Sequence, residues 1–159
     1  MGVWNVEGEW SGRYYYDLVN DLYPPEGVPF QMSLTEGWFG RFRGKVQDDA
    51  ARGGIPEKGR IRGRIRGDRI SFLKRMPIYH VAGGATMAEH ILEHYRVDVR
   101  RDLRHPPIRY VGQYDFVEDR ATGRWSISPY KSLFWGHGRL LCIRSETTTG
   151  TWEIRRGTR

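Results

Sequence analysis

The sequence predicts an all-β fold, an antiparallel up-and-down β-barrel of about eight to ten strands with one short helix, in one domain over residues 1–159. Three observations carry this. Apolar residues recur at every second position between turn signals, the pattern of strands with one buried face. Connections such as "DRATG" and "TTTG" are short, as neighbouring antiparallel strands require. Closing so many strands into a barrel also removes the unpaired edges an open sheet would expose.

The first strand is "EGEWSGRYYYD" (7–17), with Trp10, Gly12, Tyr14 and Tyr16 on one face and Glu9, Ser11, Arg13 and Asp17 on the other. After the loop "LVNDLYPPEG", the strand "VPFQMSLTE" turns Phe30, Met32 and Leu34 inward. "GWFGRFRGKVQD" (37–48) sets Trp38, Phe42 and Val46 inward against Arg41, Arg43 and Lys45. Gly53, Gly54 and Pro56 stop that strand from continuing. "GRIRGRIRG" (59–67) then alternates Ile61, Gly63 and Ile65 with Arg60, Arg62, Arg64 and Arg66, and "DRISFLKRMP" returns with Ile70, Phe72 and Lys74 inward.

Residues 82–94 break the period and read as the helix. Thr86 caps it, Glu89 lies three residues on, and Met87, Ile91 and His94 fall at helical spacing, so that it serves as a lid or a plug. Further strands are expected at 95–103, 107–118, 123–127, 138–146 and 150–156.

A chain of 159 residues buries about 70% of its unfolded surface without needing a disulfide or a metal. Cys142 is the single cysteine, which excludes an intramolecular disulfide and any cysteine-based zinc cluster and fits a reducing compartment. The expected location is the cytoplasm, since no signal-like segment opens the chain and no apolar run reaches membrane-span length. Twenty-two of the 26 cations are arginine, and the net charge is +7, which draws the chain toward anions in general. These arginines are interspersed with acids along the chain, and no basic tail gathers them.

Gly-x-Trp recurs at "GEW" (8), "GRW" (123) and "GTW" (150), each at or near a strand start. Together with Arg155 and Arg156 on the last strand, "EGEWSGRYYY" resembles the calycin pattern of lipocalins, fatty-acid-binding proteins and avidins. The resemblance is at superfamily level and covers the arrangement of the whole chain. It implies that Trp10 closes one end of the barrel, that a basic residue such as Arg156 packs across it, and that the fold binds ligands. The lipocalin T-D-Y motif is missing, and no avidin pattern of biotin-contacting residues is traceable, so no ligand is implied by name.

Parity collects an unusual number of rings on the inward face, interleaved with Gly12, Gly40, Gly44, Gly63 and Gly112. Such a set is either a core built from alternating large and small residues or the lining of a lumen. Buried tyrosine hydroxyls need partners, and several of them with one lysine favour the lumen. The expected ligand-binding residues are Trp10, Tyr14, Tyr16, Trp38, Phe42, Phe72, Lys74, Tyr110 and Tyr114; Tyr95, Phe116, Trp125 and Trp152 share the inward face. The ligand would be small and partly polar, aromatic or anionic, and neither a cofactor nor a metal is called for.

The outward row Arg41, Arg43, Lys45, Arg60, Arg62, Arg64 and Arg66 defines the alternative, a surface that meets nucleic acid or an acidic protein. It reads first as a solvated face, its repulsion offset by Glu36, Asp48, Asp49, Glu57 and Asp68 at the strand ends. Phe39 is the one outward aromatic expected along it. His80, His90, His94, His105 and His137 are the remaining candidates; His90 and His94 lie four apart, yet the zinc-protease order H-E-x-x-H is absent. Nucleophile-elbow, P-loop and dinucleotide motifs are also missing. An enzyme using Tyr or His as general acid is the third reading.

Overall fold

The computed structural model describes residues 4–18, 23–81, 84–99, 103–129, 131–136, 138–144 and 147–157. Ten strands form: β1 (Gly8–Tyr16), β2 (Val28–Glu36), β3 (Arg41–Asp48), β4 (Gly59–Arg66), β5 (Arg69–Arg75), β6 (Ile108–Asp115), β7 (Arg120–Ile127), β8 (Lys131–Gly136), β9 (Arg139–Arg144) and β10 (Thr148–Arg156). Eight of them close into an antiparallel barrel in the order β1-β10-β7-β6-β5-β4-β3-β2, while β8 and β9 form a separate hairpin. β1 pairs with β10 on one side (Trp10 opposite Arg156) and with β2 on the other (Trp10 opposite Met32). The up-and-down order is interrupted once, where the β8–β9 hairpin is inserted between the paired strands β7 and β10.

Alternation explains the barrel. On β2 the burial runs buried at Phe30, Met32 and Leu34 and exposed at Gln31, Ser33 and Thr35. The inward rows from all eight strands merge into one core that includes Trp10, Met32, Val46, Ile61, Phe72, Tyr110, Trp152 and Ile154. Glycines make room for its rings: a Cβ on Gly63 would lie 2.4 Å from Phe42 and 2.5 Å from Phe72.

Two expected elements are corrected. The strand expected at 95–103 does not form over 95–99: Tyr95 ends helix α1 (Met87–Tyr95) and is exposed, and Val97 and Val99 pack in a second cluster with Met87 and Ile91, while positions 100–102 lie outside the described residues. Their alternation reflects one face turned to the helix. The helix starts at Met87, with both halves of the Thr86–Glu89 capping box in place; positions 82 and 83 of the expected helix lie outside the described residues. Leu141 and Ile143 of β9 pack on the same cluster, so helix and hairpin form one satellite body. Phe116 falls in the turn after β6 and is exposed. No helix among the described residues is long and apolar enough to cross a membrane.

The connections are unequal. At one end the barrel is joined by the short links 37–40, 67–68 and 116–119; at the other by 17–27, 49–58, 76–107 and 128–147. The polar interior groups described below sit toward this second, loop-bearing end.

Candidate functional site

The short-turn end is sealed. Trp10 donates from Nε1 to the Val6 carbonyl (2.7 Å), and Trp4 stacks on Tyr114 with centroids 4.2 Å apart. Arg156 lies over the Trp10 ring at 4.5 Å and donates to the carbonyls of Glu7 (2.8 Å) and Asn5 (2.6 Å). The guanidinium thus clamps residues 4–7 across the barrel mouth, the closure the calycin resemblance implies. Burial pushes the Tyr114 phenol up to about 12, and the hydrogen bond its hydroxyl donates to Asp119 adds to the shift. Trp10 and Tyr114 therefore belong to the seal.

The middle of the barrel is close-packed. Phe72 stacks on Tyr110 at 4.6 Å, and Phe42 and Trp152 meet Phe72 edge-on at 6.2 and 5.5 Å. Trp152 spends its N–H on the carbonyls of Val111 and Arg124.

At the loop-bearing end the interior becomes polar. Lys74 Nζ lies 2.5 Å from Asp48 Oδ1, with side chains 2% and 0% exposed. Tyr14 donates its hydroxyl to Asp48 Oδ2 at 3.2 Å, and the Lys74 ammonium stands 4.8 Å from the Tyr14 ring and 5.6 Å from that of Phe30. Tyr16 and Trp125 form the outer layer, edge-on to each other at 5.1 Å, and Tyr23 stacks on Tyr16 at 4.1 Å. Burial raises the phenols of Tyr14 and Tyr110 well above their ordinary range, and the negative Asp48 adds to both. Tyr16 is raised by burial and then by Tyr23. Burial pulls the Lys74 ammonium down, against the opposing pull of Asp48. His105 is also lowered by burial, with Lys74 adding to the shift.

The nine expected ligand-binding residues thus separate. Tyr14, Tyr16 and Lys74 gather at the loop-bearing end with Tyr110 just beneath; Trp10 and Tyr114 seal the opposite end; Phe42 and Phe72 fill the middle. Trp38 is corrected outright, since it stands 85% exposed in a 3-10 turn, Trp38–Gly40, ahead of β3. The period-two reading ran through a segment that is not extended: Phe39 adopts φ 59, ψ 39. Asp48 is the residue that parity should have found, because it lies on the same face as Phe42 and Val46.

The histidines stay apart from this cluster's hydrogen bonds. His80 lies 2.8 Å from the Glu57 carboxylate, His94 donates to the His90 carbonyl and His105 to that of Pro106. His90 and His94 stack on each other at 4.2 Å. Among the described residues no three His, Cys, Asp or Glu side chains converge as a metal site; His137 lies outside those residues.

On the outer wall, β3 and β4 set like charges directly opposite: Arg41 with Arg64, Arg43 with Arg62, Lys45 with Arg60. Four of the five expected counter-charges are engaged elsewhere, and Glu36 forms no ion pair among the described residues. Asp48 points into the barrel, Asp49 pairs with Arg52, Glu57 with His80, and Asp68 accepts from Gln113.

No family model matches the sequence, and no curated protein matches it. Among solved structures, the crystal structure of rhizavidin is similar over 95% of this chain and 84% of its own, at 11% identity and a TM-score of 0.41.

Proposed function

We infer that this barrel binds a small, partly polar, ring-bearing molecule at its loop-bearing end, with Lys74, Asp48 and Tyr14 holding the polar part. Phe30, Tyr16 and Trp125 offer rings beside them. The carrying observation is the Lys74–Asp48 pair, both side chains withdrawn from water and joined by the Tyr14 hydroxyl. A buried ion pair contributes little stability over apolar residues of similar volume, so its presence calls for another use. Convergent charged and hydroxyl groups among aromatic walls are the usual make-up of a ligand site in a barrel mouth. Shifted titrating groups concentrate at such sites.

With the far end sealed by Trp4, Trp10 and Arg156, a ligand enters from the side of the long connections. Asp48 leaves Lys74 largely neutralised, so the polar group it receives is an uncharged acceptor such as a carbonyl, or an acid shared with Tyr14. Native mass spectrometry of the protein purified from its own source is the test. The expected result is one compound released on denaturation and lost from a Tyr14→Phe variant that keeps its fold. A bare mass, together with no thermal shift from ring-bearing amides and acids, would sink the reading.

A further inference from the structure

The outer wall of β3–β6 is a surface distinct from the barrel interior. Outward positions carry Arg or Lys three times on β3, four times on β4, twice on β5 and once on β6, against one carboxylate, Asp115 at the rim. None of these ten cations makes an ion pair among the described residues. Like charges held directly opposite across strands destabilise a sheet, so a face that concentrates them is arranged for a counter-charge from outside.

The face also has relief. Two adjoining grooves, of about 240 and 370 Å³, run along it. Ser71, Leu73 and Val111 form their uncharged floor, with Arg62 and Arg64 on one bank and Arg109 on the other. Arg66 and Arg69 flank the groove toward the short-turn end. There the chain presents Trp38 and Phe39, each 85% exposed. Phe39 is held in the left-handed region, and Gly40 (φ 70) packs so tightly on β4 that a Cβ would lie 2.4 Å from the Ile65 carbonyl. A non-glycine residue in that conformation carries strain. Two large rings displayed on a strained turn, beside a trough of unpaired guanidinium groups, have no role in the core.

We propose that this face binds single-stranded nucleic acid, the backbone phosphates lying along the arginine groove and unpaired bases stacking on Trp38 and Phe39. A positively charged groove with adjacent aromatic platforms is what a single strand requires, whereas the bases of a duplex are already stacked and leave those rings idle. The inference does not depend on the interior ligand site.

The test is fluorescence anisotropy of short labelled oligo(dT) and oligo(U) over a salt series, with a duplex of equal length and a sulfated polysaccharide as comparisons. Contact with about three to five phosphates gives a log-log salt slope of roughly −2 to −3.5 for a single strand. Trp38→Ala with Phe39→Asn, both at exposed positions, should weaken binding by about fivefold or more and leave the slope unchanged. Arg62→Ser with Arg64→Ser should make the slope shallower by about 1.4, two phosphates' worth. Absence of binding at low salt overturns the proposal. So does equal affinity for the duplex or the polysaccharide, or indifference to loss of the two rings, any of which would leave only a general polyanion surface.

Discussion

Replacing Lys74 by Met tests whether the buried pair is a coupled unit. Met matches the lysine stem in length and has the same freedom to pack, so the change removes the ammonium with little loss of volume. What it leaves is the Asp48 carboxylate, wholly withdrawn from water, with only neutral donors: the Tyr14 hydroxyl at 3.2 Å and the Ile55 N–H at 3.5 Å. Breaking one side of such a pair costs about 3–5 kcal/mol. For a domain of this size that lowers Tm by about 6–20 °C. Asp48→Asn strands the ammonium instead and should cost a similar amount. The double variant, Lys74→Met with Asp48→Asn, strands no charge, and Asn keeps an acceptor for Tyr14. It should recover about 2–3 kcal/mol of the summed losses, the interaction term of a double-mutant cycle. Urea unfolding followed by tryptophan fluorescence reads all four proteins, with constant m-values as the check that the unfolded state is unchanged. If Lys74→Met costs under about 1 kcal/mol, or the two losses simply add, water reaches the pair. The polar site would then be wet and its charges uncoupled.

Three further perturbations address the sealed end, the β6–β7 wall and the buried phenols. Arg156→Ala removes two charge-assisted hydrogen bonds to the Asn5 and Glu7 carbonyls and the cation over Trp10, for about 2–4 kcal/mol; amide exchange should show residues 4–7 losing protection first. Gly123→Ala would set a Cβ 1.9 Å from the Val111 carbonyl and 2.5 Å from Gly112 Cα, forcing β6 and β7 apart and costing about 1–3 kcal/mol or more by thermal melting. The phenols of Tyr14, Tyr16 and Tyr110 are raised in the folded barrel. Between their unfolded pKa, about 10, and their folded values, the native state therefore holds more protons than the unfolded one. Their contribution to stability is intact below that lower value and is lost as pH rises further. Absorbance at alkaline pH should show these tyrosines ionising only with unfolding; normal titration in the folded protein would refute their burial.

The sequence was most legible where a single rule governed a whole segment. Period two identified β2 residue for residue and placed Lys74 inside, because a strand with one buried face has no other way to alternate. The pairing of β3 with β4 was readable from two successive strands joined by a turn, while the packing of Arg156 on Trp10 was an expectation of the resemblance alone. The sequence misleads where two rules compete. At "GWFG" the alternation of Trp38 with Phe42 suggested a strand, but the flanking Gly37 and Gly40 allowed a turn that throws both rings outward. At Val97 and Val99 the same alternation served packing against a helix. Asp48 was missed for a different reason: parity with Val46 put it inside, yet charge argued for the rim. The charge argument fails because the partner needed to hold a carboxylate in the core, Lys74, lies 26 residues away on a strand β3 does not pair with. The two meet over β4, which pairs with both strands, once the sheet has formed in register. Local patterns therefore sufficed for the wall, while the polar site depends on a non-local meeting of two residues that each look misplaced alone.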